Sequence, residues 1–247
     1  MASQLEYQLN VVIELVAVGL SLLGSLFMLS LFFGPGRALG GWSWHEALIV
    51  QGFYTVLDGM ASTWLRPNLS SIVTHVREGT LDFVLLKPID SQFWLSLRTV
   101  SPAGLSEIVL GLFLVIWGGH QAGASLSPGS IALVSVMLLA GGVIWYSLWV
   151  LMASTSIWFV KTWNAAEVLR AVLASGRYPV VAYPAPLRLL FTLVVPVAFL
   201  TTVPAEVVLG RASAPMLWLG LGLAVGFFIA ARRFWLYALR HYTSASS

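Results

Sequence analysis

Two carboxylates stand out as candidates for chemistry, because so few residues of this chain can ionise. Only 9% of its 247 residues are charged, and 58% are hydrophobic. Asp58 and Glu107 fall inside long apolar runs, where a charge is costly and often marks a polar or proton pathway. The alternative is a hydrogen-bonded carboxyl that ties helices together. We favour this structural interpretation, because neither residue has an obvious basic partner at membrane depth.

The sequence offers no other constellation for catalysis. It contains no cysteine, which excludes disulfides, thiolate metal sites and a cysteine nucleophile. It has no glycine-rich phosphate loop ending in Gly-Lys-Ser/Thr and no GxSxG elbow. The four histidines are far apart and lack the i, i+4 spacing of a helical metal pair, so we expect no metal site and no bound cofactor. This pattern indicates a protein that is not itself an enzyme.

The densest polar stretch is the segment 69–90, LSSIVTHVREGTLDFVLLKPID. Its first part has apolar residues at i, i+3, i+4 and i+7, which predicts a short amphipathic helix. Gly79 suits the left-handed position that ends such a helix, and Thr80 is a candidate cap for a second one. Leu81, Val84 and Leu85 then share one side, and apolar residues on a polar loop need a lipid or protein partner.

The remaining chain predicts an all-α membrane protein with a single domain, residues 1–247. A membrane-spanning helix needs roughly 20 apolar residues, so this length allows about six spans. The predicted spans cover about residues 11–33, 45–65, 92–118, 130–160, 186–204 and 215–232. The run 130–160 either forms one long helix or breaks at Gly141-Gly142. Residues 163–176 predict an amphipathic helix on the cytosolic membrane surface.

The distribution of basic residues predicts the orientation. With both termini in the cytosol, eleven basic residues lie inside or at the inner interface and only Arg37 and Arg211 lie outside. The eleven are Arg66, Arg77, Lys87, Arg98, Lys161, Arg170, Arg177, Arg188, Arg232, Arg233 and Arg240. Segment 69–90 is then cytosolic, and a short re-entrant segment follows the fifth span on the outer face. The basic pI of about 9.4 reflects this topology rather than nucleic-acid binding.

Several of these residues carry a resemblance to a known family. The run from Arg77 to Asp82, continued by Leu85 to Pro88, resembles a signature of the permease subunits of type-2 ABC exporters. The chain is most similar to a small six-helix branch of that family. Arg177-Tyr178-Pro179 and the run from Val195 to Phe199 resemble later landmarks of the branch. Lys87 departs from the arginine that is common there.

The resemblance implies a membrane subunit driven by separate ABC ATP-binding subunits, which would hold the ATP and Mg²⁺. It implies a second permease subunit, of the same or a different chain, in the cytoplasmic (inner) membrane of a prokaryote. It also implies export, with an outer gate near Pro196, Pro204 and Glu206. The implied coupling helix for the ATPase falls on Val76, Arg77, Glu78, Gly79, Thr80, Leu81, Asp82 and Leu85.

Two alternatives stay open from the sequence. The first is a secondary transporter that couples proton movement through Asp58 and Glu107. The second is a membrane-embedded assembly factor or lipid enzyme, for which the sequence offers no nucleophile or metal cluster. For an exporter, predominantly apolar helices favour a hydrophobic or amphiphilic cargo.

Overall fold

A computed structural model describes residues 2–33, 38–125, 127–159 and 163–242, and these residues form helices with no strand among them. The all-α prediction is therefore confirmed for the described chain. The α-helices are α1 Ala2–Ser30, α2 Trp44–Met60, α3 Arg66–Arg77, α4 Leu81–Leu85, α5 Ser91–Leu97, α6 Leu105–Gln121, α7 Pro128–Ser154, α8 Trp163–Ala174, α9 Ala185–Leu189, α10 Thr202–Val208 and α11 Ala214–Arg240.

Two described helices are long and apolar enough to cross a membrane, Pro128–Ile157 and Ala214–Arg240. A third span exists if the bent pair Ala185–Val194 and Val197–Val208, which turns by 71°, is counted as one. Leu15–Ser30 and Leu105–Gln121 are shorter apolar helices. Apolar helices of this kind belong to a multi-pass membrane protein, whereas the number of six spans stays a prediction.

The second predicted span does not end at residue 65. A π-helical turn, Ala61–Leu65, joins α2 directly to α3, so the backbone stays helical from Trp44 to Arg77. Pro67 is accommodated in the first turn of α3, where its missing N–H costs little. The amphipathic start of segment 69–90 is thus a rigid extension of the long helix and not a separate element.

Glycines bring α2 and α6 into unusually close contact. Gly52 and Gly59 on one side face Gly104, Gly111 and Gly118 on the other, with a spacing of seven residues on both sides. A Cβ added to Gly104 would lie 2.0 Å from the carbonyl oxygen of Gly59. Because no side chain fits between them, the two backbones pack directly.

The third predicted span is broken near its start. α5 ends at Leu97, and α6 begins only at Leu105, after a 3₁₀ turn at Pro102–Gly104. The side chain of Asn68 fixes the break, because its amide accepts from the Thr99 N–H at 2.8 Å and donates to the Thr99 carbonyl at 2.6 Å. Pro102 lies after this interruption, at the start of the 3₁₀ turn, and so does not kink a continuous helix.

The fourth predicted span is a continuous helix from Pro128 through its two central glycines to Ile157. α7 continues as a 3₁₀ turn, Thr155–Ile157, and packs along α11. Gly141 receives the backbone of Phe199 and Leu200 from the bent segment, while nothing lies within 4 Å of a Cβ at Gly142. The main hydrophobic core lies around this region and includes Ile144, Trp145, Leu173, Leu200 and Trp235.

The segment after α8 differs from the predicted topology. Leu173 is fully buried and Gly176 contacts Val197 and Thr201, so the end of α8 enters the bundle. The chain then reaches the loop between α1 and α2, where a Cβ on Gly40 (φ +60°) would lie only 3.1 Å from the carbonyl carbon of Val181. Arg188 donates to the Val181 carbonyl at 2.8 Å, so it lies near the loop between α1 and α2. It was predicted among the eleven inner basic residues, and this placement is wrong.

The bundle therefore has two ends of different charge. We call the end with residues 66–99 and 232–242 the basic end, and the end with residues 38–45, 118–125 and 206–213 the opposite end. Arg66, Arg77, Lys87, Arg98 and Arg232 all lie at the basic end. Two predicted inner residues therefore lie elsewhere, Arg188 near the opposite end and Arg177 against Tyr54 within the bundle. Arg37 and Lys161 lie outside the described residues. The charge asymmetry is weaker than predicted but is not reversed.

Candidate functional site

A short helix, α4, lies at the basic end and is fixed to the bundle along one face. Gly79 adopts φ +68°, the left-handed conformation predicted for it, and turns the chain from α3 into α4. Leu81 and Val84, three residues apart, are 0% and 4% exposed and belong to the main core. The partner of this apolar face is thus the chain's own interior, so α4 is an anchored element and not a floating loop.

The other face of α4 is open and strongly apolar. Phe83 and Leu86 are 69% and 81% exposed, and Leu85 and Ile89 extend the same surface. We call Phe83, Leu85, Leu86 and Ile89 the apolar tip. Large apolar side chains at the end of a basic, polar segment indicate a contact with another molecule.

The predicted coupling residues divide into three groups. Arg77, Glu78 and Leu85 are exposed, while Val76, Gly79, Thr80 and Asp82 are half-buried. Leu81 is fully buried, so it holds α4 in place and presents no surface to a partner. Sequence reasoning missed Phe83 and Leu86, although their i, i+3 spacing opposite Leu81 and Val84 was the signal for them.

The turn between α3 and α4 is held by a histidine. His75 Nδ1 lies 2.7 Å from Thr80 Oγ1, and its Nε2 lies 3.2 Å from Arg98 Nη1. Because a guanidinium can only donate, Nε2 accepts, and the neutral ring carries its proton on Nδ1 and donates it to Thr80. Thr80 uses its hydroxyl in this bond and does not cap α4. The neutral ring thereby links the turn to the end of α5.

We expect this link to weaken as the pH falls. Burial, and then the positive charge of Arg98, lower the pKa of His75 below its ordinary value, against a smaller opposing effect of Glu78. Below the ordinary pKa of histidine, about 6.5, the unfolded chain binds more protons than the folded one. Local stability therefore decreases as the pH decreases. Hydrogen exchange of segment 69–90, corrected for intrinsic rates, should become faster at pH 5.5 than at pH 7.5. His75→Gln should remove that pH dependence; an unchanged dependence would exclude His75 as its source.

A second set of contacts ties the end of segment 69–90 to α11 and α7. Asp90 accepts from the backbone N–H of Phe93 at the start of α5 and forms an ion pair with Arg232 of α11. Gln92 donates to the hydroxyl of Tyr146 in α7 at 2.9 Å. Burial raises the pKa of Asp90, but the hydrogen bonds and the charge of Arg232 outweigh it and hold the pKa below its ordinary value. Movement of α4 is thus linked to both long helices.

A polar cluster surrounds the π-helical turn and contains both predicted intramembrane carboxylates. Asp58 forms an ion pair with Arg66, and Ser62 bridges Arg66, from which it accepts at 2.8 Å, to Glu107, to which it donates at 3.2 Å. The expectation that these acids lack a basic partner is wrong for Asp58. An arginine side chain leans toward the helix N-terminus, which brings Arg66 back toward Asp58 across the turn.

Removing Arg66 should destabilise the protein more than removing the whole ion pair. The side chains of Arg66 and Asp58 are 26% and 19% exposed, so Arg66→Ala leaves a poorly solvated carboxylate and should cost about 2–3 kcal/mol. Adding Asp58→Asn should recover part of that loss. Thermal unfolding of the purified single and double variants measures both, and strictly additive losses would show that the pair has no energetic coupling.

The predicted outer-gate residues lie in the bent segment and at the opposite end. Pro196 is at the 71° bend, and Pro204 and the half-buried Glu206 lie in α10. An ion pair that the sequence did not reveal closes this end: Arg211, after α10, binds Glu46, which also caps the start of α2 through Ser43. The residues that follow the bent segment are therefore tied to the start of α2.

Comparison with known proteins supports one assignment. A family model described as ABC-2 family transporter protein matches residues 20–246, nearly the entire chain. Neither the curated proteins nor the solved structures gave a match. The matched range includes the polar cluster, α4 with its apolar tip, and the bent segment. The chain therefore belongs to the ABC-2 family of transporter proteins, and this family membership makes it a permease-type membrane subunit.

Proposed function

We propose that this chain is the membrane-spanning permease subunit of an ATP-driven exporter in the cytoplasmic membrane of a prokaryote. A separate ABC ATP-binding subunit, holding ATP and Mg²⁺, docks on the apolar tip of α4. A second permease subunit completes the passage, through which a hydrophobic or amphiphilic cargo leaves the cell. Membership of the ABC-2 family supports the transport role, and the distribution of basic residues supports a cytosolic position for α4.

One observation carries the docking proposal: α4 is anchored on one face and open on the other. Leu81 and Val84 are buried in the core, while Phe83 and Leu86 are free to enter a groove on a partner. A helix that is fixed to the bundle can transmit a displacement, whereas a loose loop would absorb it. The unbroken helix from Trp44 to Arg77 and the Asp90–Arg232 ion pair supply two routes into the bundle.

To transmit a displacement to the bundle, the ATPase must dock differently in its two nucleotide states. A ligand shifts a conformational equilibrium only if it binds the two conformations with different affinity. The test is co-expression with candidate ABC ATP-binding subunits and purification through a tag on this chain. We expect a complex that hydrolyses ATP in lipid nanodiscs. Recovery of the permease alone, under conditions where the ATPase is soluble and folded, would contradict the proposal.

The second candidate is a proton-coupled secondary transporter that uses Asp58 and Glu107. The link through Arg66 and Ser62 brings the two carboxylates into one cluster, which is the observation in its favour. The fixed ion pair of Asp58 nevertheless favours a structural role. This candidate predicts uptake driven by a pH gradient without ATP and lost in Asp58→Asn, so a proteoliposome assay without ATPase distinguishes it from the exporter.

A further inference from the structure

A half-buried arginine reaches into the middle of the bundle. Arg177 ends the 3₁₀ turn Ser175–Arg177 that follows α8, and its guanidinium carbon lies 4.9 Å from the ring centroid of Tyr54. Tyr54 is 3% exposed and stands ten residues into α2, about 15 Å from the start of that helix. The cation therefore lies against the second half of α2, about 9 Å before its last residue, Met60.

No carboxylate neutralises Arg177 within the described part of the chain. None of the ion pairs there includes it, and its Nε is buried without a hydrogen-bond partner. Asp58, one turn along α2 from Tyr54, is already paired with Arg66. Since a partly desolvated cation is costly without an opposite charge, this site has an unmet demand for an anion.

Two further buried polar atoms, on residues that lie beside Tyr54 or Gly176, have no hydrogen-bond partner among the described residues. Trp145 is 2% exposed, its ring lies 6.0 Å from that of Tyr54, and its indole N–H has no acceptor. Thr201 is 0% exposed, its hydroxyl has no partner, and it contacts the residue before Arg177, Gly176. The N–H, the hydroxyl and the guanidinium can all donate, and they lie among apolar residues of the main core.

We propose that Arg177, with Trp145 and Thr201, binds the anionic headgroup of an amphiphilic cargo. This proposal rests on the exporter function and narrows its substrate class to amphiphiles that carry a phosphate-like or carboxylate group. A guanidinium matches such a group with two parallel hydrogen bonds. Arg177 is only half-buried, which leaves it accessible to a ligand. The side chain of Tyr54 positions the guanidinium, which lies over its ring and hydrogen-bonds to it, but a neutral phenol does not balance the charge.

Binding to the full-length chain tests this proposal without any ATPase. The purified chain in phosphatidylcholine nanodiscs is incubated with radiolabelled dodecyl phosphate, and protein-free nanodiscs give the background. We expect saturable binding that unlabelled dodecyl phosphate displaces about 10- to 100-fold more effectively than dodecanol or inorganic phosphate. Equal displacement by dodecanol would overturn the role of the charge. Equal displacement by inorganic phosphate would contradict an amphiphilic ligand and indicate a site for a free anion.

Substitutions locate the site. Arg177→Gln should abolish the preference for dodecyl phosphate over dodecanol, and Arg177→Lys should retain part of it. The matched control is Arg170→Gln, which removes an exposed arginine from α8, the helix that precedes the turn with Arg177. A folded Arg177→Gln variant that keeps the full preference would overturn the proposal.

A photoreactive dodecyl phosphate tests the wild-type chain even if that variant fails to fold. It should label peptides that contain Tyr54, Trp145 or Arg177, and labelling confined to other peptides would contradict the site. If these experiments show no charge-dependent binding at Arg177, the proposal of an anionic cargo is wrong, but docking of the ATPase on α4 is not affected. If dodecyl phosphate binds as expected but no ATPase docks on α4, the proposed exporter function is wrong instead.

Discussion

Phe83→Asp should weaken binding of the ATP-binding subunit by about 30-fold or more, the effect expected for loss of a central aromatic anchor. The Phe83 side chain is 69% exposed and does not support the core, so the variant should fold like the wild type. A carboxylate in an apolar groove also adds a desolvation cost to the lost contact. Titration of the purified ATPase against the permease in nanodiscs measures the change.

The matched control places the same charge at the opposite end of the bundle. Ser125 is exposed there, and Ser125→Asp should leave ATPase affinity unchanged. Leu86→Asp should reproduce the Phe83→Asp effect, because both side chains belong to the apolar tip. Wild-type affinity in both tip variants would show that the ATPase docks elsewhere.

Gly104→Leu should prevent the bundle from assembling. Even a Cβ at this position would lie 2.0 Å from the Gly59 carbonyl oxygen and 2.6 Å from Thr63 Oγ1, so α2 and α6 would have to separate. Overpacking of this kind costs about 3 kcal/mol or more, a large share of the stability of a typical domain. We expect little monodisperse protein by size-exclusion chromatography and a lowered unfolding temperature for whatever is recovered.

The control for that substitution is a glycine with open space around it. Nothing lies within 4 Å of a Cβ at Gly142, which sits in the middle of α7. Gly142→Leu should therefore give wild-type yield and elution. Normal assembly of Gly104→Leu would mean that the close approach of α2 and α6 is not required for the fold.

Local features of the coupling region could be predicted from the sequence. The helix-ending role of Gly79 follows from its position after an amphipathic run, and the i, i+3 spacing of Leu81 and Val84 correctly indicated a shared face. The prediction that Leu85 shares this face is wrong, because Leu85 is exposed and belongs to the apolar tip. What covers that face could not be predicted, because the main core is assembled from residues distant in the chain. The apolar tip became evident only once Leu81 and Val84 were seen to be buried.

Contacts between segments that are distant in the chain are the main features that the sequence did not predict. Asp58 and Arg66 are eight residues apart, which is outside the usual i, i+4 pairing of a regular helix, and a π-helical turn lies between them. The break after α5 depends on Asn68 bonding to Thr99, 31 residues away. The seven-residue glycine spacing in α2 and α6 was visible in the sequence, but only the packed helices reveal that the two sets face each other.

Site-specific crosslinking tests the central claim, that an ATP-binding subunit docks on the apolar tip of α4, most directly. The chain has no cysteine, so Phe83→Cys or Leu86→Cys provides a single reactive thiol. A bifunctional maleimide should join either variant to a cysteine in the docking groove of the co-purified ATPase, with a yield that changes when ATP is added. Ser125→Cys should give no crosslink. An assembled complex in which neither tip cysteine crosslinks, or in which Ser125→Cys crosslinks equally well, would contradict the account.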